Sequence, residues 1–177
     1  MEETLIRPLP GFDDPIEMLE ACHGRMKNQL ETLRRLAGWL PEHGPDAAAR
    51  QAAAAILRYF RSAAVHHHQD EERDVFPRLL ARIDTVDRHR VECLISSLLA
   101  DHKALFAAWD ALAGPLDAIA QGTGAELDAD DVAYFTQQYR NHLECEEAML
   151  FPLLLRHMEP QDLAEVGEKM RTRRQER

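Results

Sequence analysis

The sequence predicts an all-α protein: an antiparallel up-down four-helix bundle followed by a short C-terminal helix. Proline and glycine cluster at Arg7–Pro15, Pro41–Pro45 and Gly114–Gly124, which leaves long stretches rich in alanine and leucine between the clusters. Apolar residues in those stretches recur at helical spacing, and no stretch of any length alternates as a strand would. Four long helices joined by short connections pack as an antiparallel bundle.

The first two helices have clear start signals. Asp14 supplies an N-cap, Pro15 is favoured at the first helical position, and Glu17 completes a capping box. Helical spacing of apolar residues continues from there and stops before Pro41, where we expect the helix to end. Asp46 caps the second helix. The apolar positions are Leu19, Met26, Leu30 and Leu33 in the first helix, and Ile56, Phe60 and Ala63 in the second.

The third and fourth helices carry longer apolar stripes. The third is expected from about Asp87 to Ala113, with a loop at Gly114–Gly124 after it. The fourth is expected to begin near Asp128 or Asp130, since either is a good N-cap. The stripes comprise Ile95, Leu98, Leu99, Leu105, Phe106 and Trp109 in the third helix, and Phe135, Tyr139, Met149, Leu150 and Leu153 in the fourth.

The C-terminal segment is short and amphipathic. It follows Pro160 and ends in the basic run Arg171–Arg177, which we expect to be a solvated tail. Its apolar positions are Leu163, Val166 and Met170. We therefore predict two parts, a four-helix bundle over residues 13–157 and a C-terminal helix with its basic tail over residues 158–177.

Composition excludes several functional classes. The 177 residues fit one domain, and a net charge of −10 repels phosphate backbones and anionic membranes, so we expect neither nucleic acid nor a membrane as partner. No apolar run approaches a bilayer span and the acidic N-terminus is unlike a signal peptide, so a cytoplasmic protein is expected. Three cysteines (Cys22, Cys93 and Cys145) form no CxxC pair, which argues against a disulfide framework or a thiolate zinc site.

The chain contains an internal repeat. Tyr59–Leu80 and Tyr134–Leu155 align without gaps at an offset of 75, with nine identities in 22 positions. The identities are Tyr59/Tyr134, Phe60/Phe135, His67/His142, Glu71/Glu146, Glu72/Glu147, Phe76/Phe151, Pro77/Pro152, Leu79/Leu154 and Leu80/Leu155. We expect a pseudo-twofold bundle in which the second and fourth helices are equivalent. Pro77 and Pro152 are expected to kink or end these helices.

Both copies of the repeat place a histidine and a glutamate on one helix face. His67 and Glu71 are four residues apart, as are His142 and Glu146, and each pair continues an apolar stripe. Buried glutamates cost several kcal/mol each unless they are paired or bound to metal. No Lys or Arg lies on those stripes near the pairs. A cation held between the helices would stabilise both halves at once.

The first and third helices each add a histidine, His23 and His102, in line with their apolar positions. A single HxxxE pair is usually a surface pair, and a lone inward histidine is usually a hydrogen-bonded core residue. The repeated frame favours metal binding for the set as a whole. The candidate metal ligands are His23, His67, Glu71, His102, His142 and Glu146.

This ligand chemistry suits iron, zinc or manganese, and the lack of clustered thiolates disfavours iron–sulfur and copper(I) sites. Six ligands are too many for one tetrahedral zinc. For two octahedral ions, four imidazoles and two bridging carboxylates fill eight of about twelve positions. About four positions would remain for a bridging group and small ligands, and the net charge stays positive.

The sequence resembles the hemerythrin-like (HHE cation-binding) family over about Asp13 to His157. The resemblance is carried by His23, by His67-His68-Gln69-Asp70-Glu71-Glu72 with Phe76-Pro77, by His102, and by His142-Leu143-Glu144-Cys145-Glu146-Glu147 with Phe151-Pro152. It implies a hemerythrin-like bundle around a non-haem di-iron centre, with Glu71 and Glu146 bridging two Fe ions that also share an oxo or hydroxo group. Zinc or manganese are the alternative metals.

Two departures from the oxygen-carrying hemerythrins argue against reversible oxygen carriage. Those proteins have an extra histidine one turn from the third-helix ligand, where this chain has Leu98 and Phe106, and their last carboxylate is an Asp spaced five from its histidine, whereas Glu146 is spaced four. The ligand set looks more like the hemerythrin-like domain of RIC-type proteins, which repair iron centres after nitrosative stress. Those proteins carry an additional N-terminal cysteine-containing domain that the residues before Asp13 are too few to supply, so we do not expect the repair role to transfer.

Neighbouring polar residues are expected to play smaller parts. His66 and His68 are expected to face solvent, and Cys145 is expected to be a small core residue. Glu72 and Glu147 recur in both halves, and the sequence leaves open whether they accept hydrogen bonds from ligand imidazoles or are surface charges.

The functional hypothesis is a metal-binding protein that takes a small ligand or oxidant (O₂, NO or peroxide) for sensing, scavenging or iron handling. An enzyme that uses the same centre, of peroxidase or NO reductase type, is the first alternative. A metal-stabilised interaction module without redox chemistry is the second. A protein partner is not identified.

Overall fold

The structure, a computed structural model, describes residues 11–175 and confirms the all-α fold. Residues 1–10, which include the start of the predicted proline-rich segment, and the last two residues of the basic run lie outside this range. No described residue lies in a strand, and no described helix is long and apolar enough to cross a membrane. The elements are α1 (Pro15–His43), α2 (Ala47–Arg61), α3 (Ala63–Asp70), π1 (Glu71–Val75), α4 (Phe76–Arg82), α5 (Arg88–Gln121), α6 (Ala129–Cys145), π2 (Glu146–Leu150), α7 (Phe151–His157) and α8 (Pro160–Gln175).

Four rods build the bundle. The first is α1, the second runs from α2 through π1 to α4, the third is α5, and the fourth runs from α6 through π2 to α7. The second rod is interrupted at Ser62, whose φ of −132° and ψ of −74° are not helical. Helices α1 and α5 each pack against both α2 and α6, so the two copies of the repeat lie on opposite corners of the bundle.

Helix α1 begins as predicted and ends later than predicted. The Asp14 side chain accepts a hydrogen bond from the Glu17 N–H (2.9 Å), and Pro15 opens the first turn. The helix continues through Pro41 to His43, because a proline in the last turn removes only one intrahelical bond and the buried residue before it holds the turn in the core. It ends where Gly44 adopts a φ of 61°.

The third rod is also longer than the sequence indicated. Helix α5 passes through Gly114 and Pro115 and ends only at Gln121, where Gly122 adopts a left-handed conformation with a φ of 75°. The extra turns are stabilised by a buried stripe formed by Leu112, Leu116 and Ile119. Of the two predicted starts of the fourth helix, the structure uses Asp128, whose side chain caps the first turn.

The core consists of two apolar clusters separated by a polar layer. One cluster lies around Met26, Phe60 and Phe135. The other lies around Phe76 and Phe151, next to the C-terminal helix. Each rod contributes to both clusters, and the predicted histidines and glutamates lie where each rod passes from one cluster to the other. The fold therefore places these polar side chains across the middle of the bundle.

The basic C-terminal run is not the solvated tail that we expected. Helix α8 packs against α1, α3 and π1. Arg173 contacts both Asp70 and Asp74, and Arg174 lies 2.6 Å from an oxygen of Asp70. Asp70 is fully buried and Arg173 only 13% exposed. Because these carboxylates lie on either side of Glu71, the arginines attach α8 to the part of the second rod that carries the predicted ligands.

We predict that Asp70→Ala lowers the free energy of unfolding by about 3 kcal/mol, because it leaves the partly buried guanidinium of Arg174 without a carboxylate and that of Arg173 with Asp74 alone. The melting temperature should fall by about 5–10 °C. Thermal denaturation followed by circular dichroism measures the change. Glu31→Ala is the matched control, since the Glu31–Arg34 pair is exposed at the surface and should contribute less than about 1 kcal/mol. Equal effects of the two substitutions would show that α8 is not held by these ion pairs.

Candidate metal centre

The structure brings all six predicted ligand residues together in the polar layer. Helices α1 and α5 each contribute one histidine, and the second and fourth rods each contribute a histidine followed by a glutamate. Every one of these side chains is at most 1% exposed. They are His23, His67, Glu71, His102, His142 and Glu146. They form two groups of four that share both glutamates.

The first group contains His23, His67 and one oxygen from each glutamate. The Nε2 atom of His23 lies 3.1 Å from Oε2 of Glu146. The Nε2 atom of His67 lies 3.2 Å from Oε1 of Glu71 and 3.9 Å from the same Oε2 of Glu146. Two imidazole nitrogens and two carboxylate oxygens therefore converge on one point.

The second group repeats this arrangement with the other two histidines. The Nε2 atom of His142 lies 3.2 Å from Oε1 of Glu146. The Nε2 atom of His102 lies 3.4 Å from Oε2 of Glu71 and 4.0 Å from Oε1 of Glu146. Each glutamate thus presents one oxygen to each group, which is the arrangement that a bridging carboxylate requires.

The inward atoms of these residues fit a pair of metal ions. The four Nε2 atoms and all four carboxylate oxygens are buried without a hydrogen-bond partner among residues 11–175, although the closest nitrogens and oxygens are 3.1–3.4 Å apart. Two ligand atoms about 2.1 Å from one ion and at right angles to each other would lie about 3.0 Å apart. Buried polar atoms without partners are costly, and cations between them would satisfy all eight.

The two glutamates differ in proton affinity. Burial, reinforced by the charge of Glu146, raises the pKa of Glu71 well above its ordinary value. Burial acts on Glu146 as well, but the surrounding imidazoles, His142 first, outweigh it and hold the pKa of Glu146 well below its ordinary value. Burial also lowers the pKa of His67 to about 4, so this ring is neutral at pH 7, as a metal ligand must be. Divalent cations would allow both carboxylates to ionise.

Two further glutamates orient ligand imidazoles, which settles the alternative that the sequence left open. Glu72 Oε1 lies 2.7 Å from Nδ1 of His102, and Glu147 Oε1 lies 3.0 Å from Nδ1 of His23. Both carboxylates reach the surface, where Lys27 also binds Glu147 at 2.7 Å. A carboxylate at Nδ1 keeps the hydrogen on that nitrogen and leaves Nε2 free to bind a cation.

His142 has a looser counterpart that sequence reasoning missed. Asp101 Oδ2 lies 3.6 Å from Nδ1 of His142. The correspondence between the two lone histidines gave no signal for it, because Asp101 directly precedes His102 whereas Cys22 directly precedes His23. Cys145, expected as a small core residue, is partly buried, and burial raises the pKa of its thiol. The described residues place no thiol in either group of ligand atoms.

His68 lies inside the bundle and not in solvent as we expected. Its side chain is 2% exposed and its ring stacks on His102 with centroids 4.0 Å apart. One ring nitrogen of His68 lies within 4.8 Å of ring nitrogens of His102 and His142. The signal for its burial was the repeat, since the matching Leu143 is apolar and fully buried. The adjacent His66 is partly exposed.

Each ligand glutamate begins a five-residue π-helical segment. The backbone N–H of the phenylalanine after each segment, Phe76 or Phe151, donates to the carbonyl of the glutamate that begins it. Such wide turns are rare and occur often at functional sites. Pro77 and Pro152 then fall in the first turn of α4 and α7, where a missing N–H is tolerated. The helices therefore continue past both prolines and do not end there.

The phenylalanines of the two Phe-Pro pairs cover imidazoles of two candidate ligands, His23 and His102. Phe151 stacks on His23 with centroids 5.0 Å apart and an interplanar angle of 28°. Phe76 lies over His102 at 6.2 Å and 19°. Both phenylalanines are buried. One side of the polar layer is thus closed against water by equivalent residues of the two repeats.

Comparisons with known proteins agree with this arrangement. Residues 14–154 match the family described as the hemerythrin HHE cation binding domain, and this range contains all six candidate ligands. A protein of Haemophilus influenzae, described as an uncharacterized protein, is 33% identical over 164 residues that cover 93% of this chain and 92% of the relative.

We predict that Glu72→Gln lowers the metal affinity of the protein by about 10–100-fold, because the imidazole of His102 loses the charged acceptor that orients it and strengthens it as a ligand. Isothermal titration of the metal-free protein with Fe(II) under anaerobic conditions, or with Zn(II), measures the affinity. Glu144→Gln, on the exposed face of α6, is the matched control and should leave it unchanged. An unchanged affinity in Glu72→Gln would mean that the contact has no part in metal binding.

Proposed function

The chain belongs to the hemerythrin family of HHE cation-binding domains, and on that premise we propose that it holds two iron ions and binds a small ligand or oxidant (O₂, NO or peroxide). The proposed roles are sensing, scavenging or iron handling under oxidative or nitrosative stress. Zinc and manganese are the alternative metals.

The single observation that carries the proposal is the sharing of the two buried glutamates. The two oxygens of Glu71 lie beside different histidines, His67 and His102, and those of Glu146 lie beside His23 and His142. A site for one ion has no need of a second group of imidazoles on the far oxygens. The arrangement supports two ions with both carboxylates between them.

The donor set supports iron. All eight inward atoms are imidazole nitrogens or carboxylate oxygens, a combination that suits Fe, Mn and Zn. Soft thiolate donors, which would favour copper(I) or an iron–sulfur cluster, are missing from both groups within the described residues. Iron, once bound, would supply redox chemistry and exchangeable coordination positions.

Two properties of the site favour an additional ligand: the net charge of the filled site and the number of donor atoms that the protein supplies. Two glutamates carry two negative charges, so two divalent ions between them keep a net charge of about +2. Eight donor positions fall short of the roughly twelve that two octahedral ions use. The excess positive charge favours a small anion, and the unfilled donor positions leave space for a small anionic or diatomic ligand.

The surrounding residues would hold this ligand set in place and keep water out. Glu72 and Glu147 fix the tautomers of His102 and His23. The apolar clusters above and below the polar layer exclude bulk water, which strengthens the electrostatic interactions inside. A rigid and dry set of ligands binds metal with little reorganisation.

We predict that purified, untagged protein contains about two irons per chain and absorbs in the near ultraviolet through ligand-to-iron charge transfer. Glu71→Ala should lose most of the metal, because it removes one oxygen from each group and leaves the remaining buried charges unbalanced. Elemental analysis of both proteins measures the metal content. Glu20→Ala, at an exposed position of α1, should keep the full complement. A full complement in Glu71→Ala would show that the site is misassigned.

We further predict that the reduced, iron-loaded protein binds NO until the site is saturated at about one equivalent per centre, as expected of a binder with a limited number of free positions. Anaerobic titration followed by absorption measures the stoichiometry. Continued consumption of NO or peroxide in the presence of a reductant would instead identify an enzyme. If zinc restores the melting temperature of stripped protein and redox reagents change nothing, the protein is a metal-stabilised interaction module.

A further inference from the structure

The two ends of the centre are not equivalent, although the repeat makes their ligands equivalent. At the offset of 75, His68 corresponds to Leu143, and Tyr139 corresponds to Ala64. His68 and Tyr139 are in contact, through His68 Nε2 and the Tyr139 hydroxyl at 3.4 Å. The polar pair, one residue from each copy of the repeat, thus corresponds to an apolar pair, Ala64 and Leu143.

This polar pair lies at the end of the centre formed by His102 and His142. The ring of His68 stacks on His102 at 4.0 Å and meets His142 edge-on at 5.8 Å. Tyr139 precedes His142 by less than one turn of α6, and their ring centroids are 6.4 Å apart. The end formed by His102 and His142 therefore has an additional buried imidazole.

The hydrogen bond to Tyr139 determines which nitrogen of His68 is free. The Tyr139 hydroxyl lies 3.4 Å from His68 Nε2. In the tautomer in which the phenol donates to Nε2, the ring hydrogen of His68 is on Nδ1. That Nδ1 is buried without a hydrogen-bond partner among the described residues. In this tautomer His68 is thus left with one unused N–H donor.

Space for a small molecule lies against the same pair. His68 and Tyr139 form the polar part of a cavity of about 10 Å³, whose apolar wall includes Phe106 and Trp109. This is close to the least volume that holds one water-sized molecule. Phe106 is 42% exposed, so the cavity lies near the surface. The position equivalent to Phe106 at the other end is Lys27, since each lies four residues after its histidine, His102 or His23. Lys27 forms an ion pair with Glu147.

We propose that the small ligand binds at the His102–His142 end of the centre and that His68 donates a hydrogen bond to it, with Tyr139 as the positioning residue. The inference rests on the proposed function and goes beyond it by assigning the ligand to one of the two ends. It also assigns the kind of ligand, a small molecule or anion that accepts a hydrogen bond.

The test uses azide, a small anion, with the full-length iron-loaded protein in its oxidised form. Iron per chain is measured by elemental analysis, and azide affinity by the absorption band that azide produces. In His68→Leu, which copies the apolar residue of the other half, we expect two irons per chain and an azide Kd raised about 10-fold by loss of one hydrogen bond to an anion. His68→Gln keeps a donor and should restore the Kd to within about threefold.

Two further variants complete the design. Leu143→Met, at the position of the repeat that corresponds to His68, is the matched control; it conserves volume and should leave the Kd unchanged. Tyr139→Phe should weaken azide about threefold by releasing the His68 tautomer, and it tests the inference even if His68→Leu does not fold, which circular dichroism shows.

The outcomes separate this inference from the proposed function. An unchanged azide Kd in His68→Leu, or the loss of one iron per chain in that variant, would overturn the role of His68 as a hydrogen-bond donor to the ligand. Wild-type protein that holds no iron would overturn the proposed function itself. Wild-type protein with two irons that binds azide, together with an unaffected His68→Leu, would overturn only the assignment to one end.

Discussion

Two fully buried glutamates in the middle of an apolar bundle are the constraint on which the rest of the structure depends. Neither Glu71 nor Glu146 has a Lys or Arg within salt-bridge distance among the described residues, and their nearest neighbours are imidazole nitrogens. Such a layer separates the hydrophobic core into two clusters. It is stable only if the carboxylates are balanced, and this requirement accounts for the convergence of histidines from all four rods.

The repeat made most of this architecture readable from the sequence. It predicted that the second and fourth rods are equivalent and supplied four of the six residues that the structure brings together, while helical spacing predicted the bundle and added His23 and His102. What it could not predict lay where local rules compete with packing. Pro115 and Gly114 indicated a loop, but burial of Leu112, Leu116 and Ile119 continued the helix. The contacts of Arg173 with Asp70 and Asp74 join residues about 100 positions apart, and helical spacing carries no information about such partners.

The differences between the two halves were harder to predict than their similarities. His68 was expected to face solvent, whereas the buried Leu143 at the matching position of the repeat indicates that it lies inside. The π segments likewise had no periodic signature. Each wide turn begins at a candidate ligand glutamate, and in the first of them the Phe76 N–H donates to the Glu71 carbonyl five residues earlier. The similarity of the two repeats predicts where the six candidate ligands meet, and the residues that differ between the repeats, such as His68 and Leu143, make the two ends of the centre different.

The sharing of Glu71 and Glu146 between the two groups also has a thermodynamic consequence. Residues before α5 supply three ligands of one group and lend Glu71 to the other, while the later residues do the same with Glu146. Neither half of the bundle (the two rods before α5, or α5 with the rod after it) therefore holds a complete group of four ligand atoms of its own. A cation bound between the two groups would therefore link docking of the two halves of the bundle to occupancy of the site, and each equilibrium would favour the other.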